Sequence, residues 1–174
     1  MQYGAMKATI RTFQSGCGDC IFLILEDEKS GESFHIMIDC GVFTPKIKAF
    51  VEHDLGMRIN MLIVTHYDDD HIAGIIKMLL EFGNLEIGKI IFNCFQNYDE
   101  DATVKIPAED KELLDQYVAN IHLAPTPNNT KISASQAALL SLLLKSNEKW
   151  FHVWERHIFV EGDSINIGND SKWG

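Results

Sequence analysis

The stretch Thr65-His66-Tyr67-Asp68-Asp69-Asp70-His71 decides the fold, because it places histidine and aspartate side chains between two apolar runs. The apolar run 61–64 precedes it and the apolar run 72–76 follows it. This pattern predicts a buried strand that leads in and a helix that leads out. Because α/β proteins bind ligands at the carboxyl ends of strands, we expect the functional site at this junction.

Four side chains of this stretch are of the kinds that bind divalent cations, a neutral nitrogen from histidine and an anionic oxygen from aspartate. The candidate metal ligands are His66, Asp68, Asp70 and His71. Their spacing suits two ions about 3.5–4 Å apart that share a hydroxide. The three consecutive aspartates crowd like charges, which a cation would relieve. The alternative is a solvated acidic turn that caps the next helix, but it leaves both histidines unexplained.

The rest of the chain predicts an α/β sheet flanked by helices. Apolar or alternating runs predict strands at residues 8–13, 20–25, 34–39, 59–64, 89–93 and 150–160. Helical spacing predicts helices at residues 45–55, 71–82, 108–121 and 133–145, the last capped by Ser133. The first three strands are expected to be antiparallel, and the second to be buried on both faces.

Composition predicts one globular domain over residues 1–174. The chain is 46% hydrophobic and 23% charged, and no apolar run reaches the length of a membrane span. Its start lacks an apolar signal core and its four cysteines are too few for a disulfide scaffold, so we expect a reduced, cytoplasmic protein without a membrane partner. The net charge of −10 counts against general nucleic-acid binding, but less against a hydrolase whose metal ions supply local positive charge.

Residues 66–71 resemble the His-x-His-x-Asp-His signature of the metallo-β-lactamase superfamily, with Asp68 in place of the second histidine. The resulting His-x-Asp-x-Asp-His resembles the hydrolase domain of bacterial DNA-uptake channel proteins. Gly16-Cys17-Gly18-Asp19-Cys20 is similar to that branch's Gly-x-Gly-Asp turn, and Ile38-Asp39-Cys40-Gly41 is similar to the superfamily's strand-end Asp-x-Gly. Gly74 also fits, and the resemblance covers residues 8–93 well.

The resemblance implies an αβ/βα sandwich of two sheets with outer helices, of which this chain holds mostly the N-terminal half, with a mixed sheet. It implies that His66 and Asp68 hold one ion, and that Asp70 and His71 hold a second. It also implies that Asp70 orients the attacking water as a general base. Asp39 is implied to buttress the metal loop, with a plain strand-end turn as the alternative.

The superfamily completes its site with a bridging aspartate and further histidines, which the sequence does not place securely. Gly162-Asp163 matches the bridging residues by letters, but its setting fits a structural turn better. Asp19 either faces the site or serves its own turn. The remaining histidines fit core or surface positions better than ligand positions: His35, His122, His152 and His157. We therefore expect the domain to be incomplete at its C-terminal side, with the missing ligands beyond Gly174.

Cys17-Gly18-Asp19-Cys20 is a Cys-x-x-Cys pair with a weaker chemical interpretation. The redox motif opens a helix, whereas this pair opens a predicted strand. A structural zinc site would need two more ligands, and Cys40 and Cys94 each stand alone. We expect both to be small buried residues at strand ends.

Two functions remain open from the sequence. The first is a metal-dependent hydrolase, nuclease- or phosphodiesterase-like, in which a metal-bound hydroxide attacks a phosphodiester or related ester. Its substrate is expected to be a small molecule or another phosphodiester, and nucleic acid is possible but not supported by the charge. Two ions are expected, and the aspartate-rich ligand set favours manganese or magnesium alongside zinc. The second is a non-catalytic or partner-dependent metal-binding module with an incomplete site, for which a homo-oligomer is one arrangement.

Overall fold

The computed structural model describes residues 5–93, 130–155 and 161–165. Its strands are β1 Met6–Thr12, β2 Ile21–Asp27, β3 Ser33–Ile38, β4 Arg58–Val64, β5 Glu86–Phe92 and β6 Trp154–Glu155. Its helices are α1 Pro45–Ala49, α2 Asp69–Glu81, α3 Thr130–Ser146 and α4 Glu148–Val153, and a π-helical turn, Phe50–Asp54, continues α1. None of the helices within these ranges has the length and apolar content needed to cross a membrane.

The strands form one mixed sheet in the order β1-β2-β3-β4-β5-β6. Strands β1 to β3 are antiparallel, and β3 to β6 are parallel. The predicted α/β class, the mixed sheet and the three antiparallel opening strands are therefore confirmed. The predicted burial of the second strand on both faces is wrong, because only Phe22 of β2 is fully buried. Its neighbour β1 is the sheet edge and is exposed along its whole length, which leaves β2 partly open.

The main core lies between one face of the sheet and the helices, because alternate strand residues point to that face. The buried members include Phe22, Met37, Ile59, Leu62, Ile90, Leu139 and Trp150. From α2, the side chains of Ile72, Ile75, Ile76 and Leu79 are buried, and Leu80 packs against this core. A smaller cluster, Ile36, Met61 and Ile91, lies on the opposite face. The main core thus fixes where α2 begins relative to the ends of β3 and β4.

The turn after β3 is bound to the first turns of α2 through the main chain. The amide of Cys40 donates to the His71 carbonyl at 2.8 Å, and the amide of Gly74 donates to the Cys40 carbonyl at 2.8 Å. This pair of hydrogen bonds joins the end of β3 to the start of α2. The close approach needs glycine at position 74, since a Cβ there would lie 2.6 Å from both the carbonyl oxygen and the sulfur of Cys40.

Two further glycines let loops approach the same helix start. A Cβ built on Gly18 or on Gly41 would lie less than 3.0 Å from the carbonyl oxygen of Asp70. Gly18 belongs to the loop between β1 and β2, and Gly41 follows β3. The Gly-x-Gly-Asp and Asp-x-Gly turns noted in the sequence therefore both pack against the main chain of Asp70.

The segment predicted as a strand at 150–160 is helical where it begins. Helix α4 starts after Asn147, whose side-chain Oδ1 accepts hydrogen bonds from the amides of Lys149 (3.1 Å) and Trp150 (3.4 Å). This cap overrides the strand preference of the aromatic residues that follow. The predicted cap at Ser133 is also wrong, because α3 already begins at Thr130.

Several sequence predictions lie outside the described residues: the helix at 108–121, Cys94, His122 and His157. The division into a single, C-terminally incomplete domain over 1–174 also stays a prediction.

Gly74→Ala should destabilise the protein by about 1–3 kcal/mol, because the new methyl group overlaps the Cys40 carbonyl in a tightly packed junction. Gly83→Ala is the matched control, since nothing lies within 4 Å of a Cβ at that position. The measurement is urea or thermal unfolding of both variants beside the wild type. Equal effects of the two substitutions would contradict the close packing of α2 on the turn after β3.

Candidate metal centre

The predicted metal ligands lie where β4 ends and α2 begins, as the sequence predicted. Asp68 is the N-cap residue of α2 by its backbone angles, yet its side chain makes no capping hydrogen bond. The acid at the capping position is therefore not used to cap the helix. Its carboxylate stays available beside His66, which weakens the alternative of a simple acidic cap.

The Nε2 atom of each histidine lies close to an oxygen of a neighbouring aspartate in the motif. His66 Nε2 lies 3.6 Å from Asp68 Oδ2, and His71 Nε2 lies 3.6 Å from Asp70 Oδ2. The two imidazole rings are themselves 3.7 Å apart between centroids. Two donor atoms on one ion with bonds of 2.0–2.2 Å are separated by about 3.0–3.6 Å. Each histidine–aspartate pair thus has a spacing that fits a shared cation.

The four predicted ligands are near neighbours in space. His66, Asp68 and Asp70 each offer a donor atom within 4.8 Å of one another, and so do Asp39, His66 and His71. His66 and Asp68 are largely open to solvent, whereas the His71 side chain is only 14% exposed. The structure brings the predicted residues together at a partly open site whose donor chemistry fits a divalent cation, and their ligation stays a prediction.

Asp39 supports this cluster from beneath as a buried carboxylate. Its Oδ1 accepts a hydrogen bond from the Thr65 amide at 2.8 Å, and its Oδ2 accepts from Thr65 Oγ1 at 2.5 Å and from His71 Nδ1 at 3.0 Å. Because both oxygens are engaged by donors, Asp39 orients its neighbours rather than standing free as a ligand. These contacts give Asp39 the buttressing position that the sequence predicted.

Asp39 also has an unusual main chain, with φ at +55°. Aspartate and asparagine are among the few residues other than glycine that adopt this left-handed conformation, because their short polar side chains bond locally. The Asp39 amide donates to the Ile63 carbonyl at 2.9 Å, which fixes the turn against β4. The sharp turn therefore directs the carboxylate towards the start of the metal loop.

Thr65 is a site residue to which sequence reasoning assigned no role. Besides its two bonds to Asp39, its Oγ1 lies 2.9 Å from His66 Nδ1. The signal that could have found it is its place, a hydroxyl residue between the end of a buried strand and the first histidine of the motif. The contact itself depends on the orientation of side chains from two neighbouring strands.

The weaker sequence candidates do not join the cluster among the described residues. Asp19 is exposed, and its main-chain carbonyl accepts from the Gly41 amide at 3.2 Å, a contact between two loops that does not involve the carboxylate. His35 contacts Ser33 Oγ at 2.8 Å near the amino end of β3. His152 is exposed on α4, and Asp163 is exposed beside a turn.

The Cys-x-x-Cys pair is split between solvent and core. Cys17 is exposed, whereas Cys20 and Cys40 are buried, as predicted for Cys40. A hydrogen bond with the Cys40 thiol, followed by burial, raises the pKa of Cys20 far above its usual range. Cys20 thus stays a protonated thiol beside Cys40, which does not suit a redox pair with Cys17.

Comparison with known families gives one match. The family model described as the metallo-beta-lactamase superfamily matches residues 20–138, well over half of the chain. The matched segment contains the strand-end Asp39, the metal loop and helix α2. No curated protein matches the chain.

Asp39→Asn should weaken divalent-metal binding by about 10–100-fold, since the residues that orient metal ligands have effects of this size. Asparagine tolerates the left-handed backbone, but its side-chain NH₂ would face the donor groups of Thr65 or His71 that now bind the carboxylate. We therefore also expect a loss of about 1–3 kcal/mol of stability. Calorimetric metal titration and urea unfolding measure the two effects. The control is Asp54→Asn, which removes only an exposed ion pair with Arg11. Wild-type metal affinity in Asp39→Asn would contradict the buttressing role.

Alkylation of the native protein should modify Cys17 and leave Cys20 and Cys40 unmodified, because the latter two are buried. Peptide mass spectrometry before and after unfolding in urea gives the result. Cys17→Ser should abolish native-state labelling of this segment. Equal labelling of Cys17 and Cys20 in the folded protein would contradict the described packing.

Proposed function

The chain belongs to the metallo-β-lactamase superfamily, and from this membership and its ligand cluster we propose that it is a metal-dependent hydrolase of phosphodiesters or related esters. The observation that carries the proposal is the pairing of each histidine Nε2 with an aspartate oxygen at 3.6 Å. In both pairs the other ring nitrogen, Nδ1, contacts a protein oxygen. This oxygen is Thr65 Oγ1 for His66 and Asp39 Oδ2 for His71. This arrangement supports metal binding through Nε2.

The proposed division of labour follows the two pairs. His66 and Asp68 hold one ion, and Asp70 and His71 hold the second. A divalent cation at such a site supplies Lewis-acid chemistry, activating water and polarising the scissile ester. The side chain of Asp70 is 46% exposed, so its carboxylate can accept a proton from the attacking water as a general base.

The aspartate-rich ligand set supports manganese or magnesium alongside zinc, because carboxylate oxygens are harder ligands than imidazole or thiolate. Hard cations in turn favour a phosphodiester substrate over a β-lactam. The His-x-Asp-x-Asp-His order supports the same substrate class, since it resembles the hydrolase domain of DNA-uptake channel proteins. The chain's charge of −10 favours a small phosphodiester over long nucleic acid.

A second candidate function is a metal-binding module without hydrolytic activity. The feature that favours it is the ligand count, since the proposed assignment gives each ion only one histidine and one aspartate. Zinc sites with catalytic activity hold three protein ligands. If no further residue of the chain completes the set, the site would bind metal weakly or depend on a partner, such as a second copy.

The deciding experiment measures metal content and turnover of the full chain. We expect stoichiometric metal after loading with zinc, manganese or magnesium, and hydrolysis of bis(p-nitrophenyl) phosphate. His66→Ala should lose metal, and Asp70→Asn should lower turnover by about 10²–10⁴-fold. His152→Ala is the control, because this histidine is exposed on α4 away from the cluster.

Two results would contradict the hydrolase. Stoichiometric metal with no turnover of phosphodiesters or carboxylic esters would favour the binding module. Metal binding unaltered in His66→Ala would show that the motif is not the metal site.

A further inference from the structure

We propose that Thr65 is a positioning residue that fixes the tautomer of His66, so that the single buried carboxylate of Asp39 orients both metal-binding histidines. The contact runs from Asp39 Oδ2 to Thr65 Oγ1 at 2.5 Å and from Thr65 Oγ1 to His66 Nδ1 at 2.9 Å. The inference rests on the proposed metal binding for its purpose, but its first test needs no metal.

The direction of the hydrogen bonds follows from the inventory of donors. A threonine hydroxyl has one proton to donate and lone pairs with which to accept. The Asp39 carboxylate is the common acceptor for the Thr65 amide, the Thr65 hydroxyl and His71 Nδ1. The hydroxyl proton of Thr65 is therefore directed to Asp39, and the hydroxyl oxygen accepts from His66. His66 must then carry its proton on Nδ1.

A neutral imidazole with its proton on Nδ1 has its lone pair on Nε2. In His66 this is the atom that lies 3.6 Å from Asp68 Oδ2, at the proposed metal position. His71 has the same tautomer by a shorter route, because its Nδ1 donates to Asp39 directly. One carboxylate thus presents two Nε2 lone pairs to the site, one directly and one through a hydroxyl.

The two histidines differ in how much they need this help. The His71 side chain is 14% exposed and held by packing, whereas the His66 side chain is 43% exposed. A solvent-exposed neutral histidine without a fixed partner exchanges between tautomers and rotates freely. The Thr65 hydroxyl removes that freedom at the more exposed of the two rings.

The hydroxyl can be removed without releasing the loop. The Thr65 amide donates to Asp39 Oδ1 at 2.8 Å, and this main-chain bond does not involve the side chain. Valine has the branched shape of threonine and keeps its strand preference. Thr65→Val therefore removes the hydroxyl link between Asp39 and His66 but keeps the hydrogen bond of the Thr65 amide to Asp39. Thr65→Ser keeps the hydroxyl and is the matched control.

The first measurement is a long-range ¹H–¹⁵N correlation spectrum of the metal-free full chain near pH 8, above the ordinary pKa of a free histidine side chain. His66→Gln identifies the His66 signals. We expect His66 in the Nδ1-protonated form in the wild type and in Thr65→Ser, and mixed or Nε2-protonated in Thr65→Val. His71 should stay Nδ1-protonated in all three proteins, because its bond to Asp39 is direct.

The second measurement is calorimetric titration with Mn²⁺ and with Zn²⁺. Thr65→Val should bind about 10–100-fold more weakly than the wild type, as expected for the loss of a residue that orients a ligand. Thr65→Ser should keep the wild-type affinity. If the wild type binds neither ion, the proposed function fails while the tautomer measurement still decides the role of Thr65.

Two outcomes would overturn the proposal. His66 keeping its Nδ1 proton in Thr65→Val would show that the hydroxyl does not set the tautomer. A change of both rings in Thr65→Val would show that Thr65 supports the whole loop rather than His66. If Thr65→Val does not fold, Thr65→Ala provides the same readout.

Discussion

The buried carboxylate of Asp39 is the interaction on which the site depends. A charge taken out of water is costly unless hydrogen bonds replace its hydration. Three donors from Thr65 and His71 do so, and they come from the end of β4 and the start of α2. Because Asp39 directly follows β3, one side chain joins three elements at the point where they meet. The left-handed turn at Asp39 makes this junction possible, since it directs the carboxylate from the end of β3 towards the end of β4.

Main-chain contacts hold the same junction from the other side. The Cys40 main chain is bonded to His71 and Gly74, and glycines at 18 and 41 admit close contact with Asp70. The loops before β2 and after β3 consequently cannot shift without moving α2. The main chain that carries the ligands is fixed in this way, so little backbone entropy remains to be lost when a cation binds.

Local patterns in the sequence were sufficient for the architecture near the motif. The strand before Thr65 and the helix after Asp68 follow from apolar runs, and their junction places His66 and His71 close together. Prediction failed where a distant contact or a cap decided the outcome. Helix α4 contains strand-favouring aromatic residues, but Asn147 caps it and the Trp150 indole nitrogen donates to the Leu85 carbonyl at 3.2 Å. Similarly, neither the contacts of the Thr65 hydroxyl with Asp39 and His66 nor the Cys20–Cys40 contact can be predicted from sequence spacing. Each depends on side chains that meet across neighbouring strands.

The unequal burial of the two histidines has a kinetic consequence. Ions held at the two pairs would not be equivalent. An ion beside His66 and Asp68 would be exposed to bulk water, whereas an ion beside His71 would lie against a largely buried side chain. Exchange with the surrounding solution should then be faster at the outer position than at the inner one. If both pairs hold ions, the inner cation would therefore remain bound longer, and occupancy of the outer position would follow the metal composition of the medium.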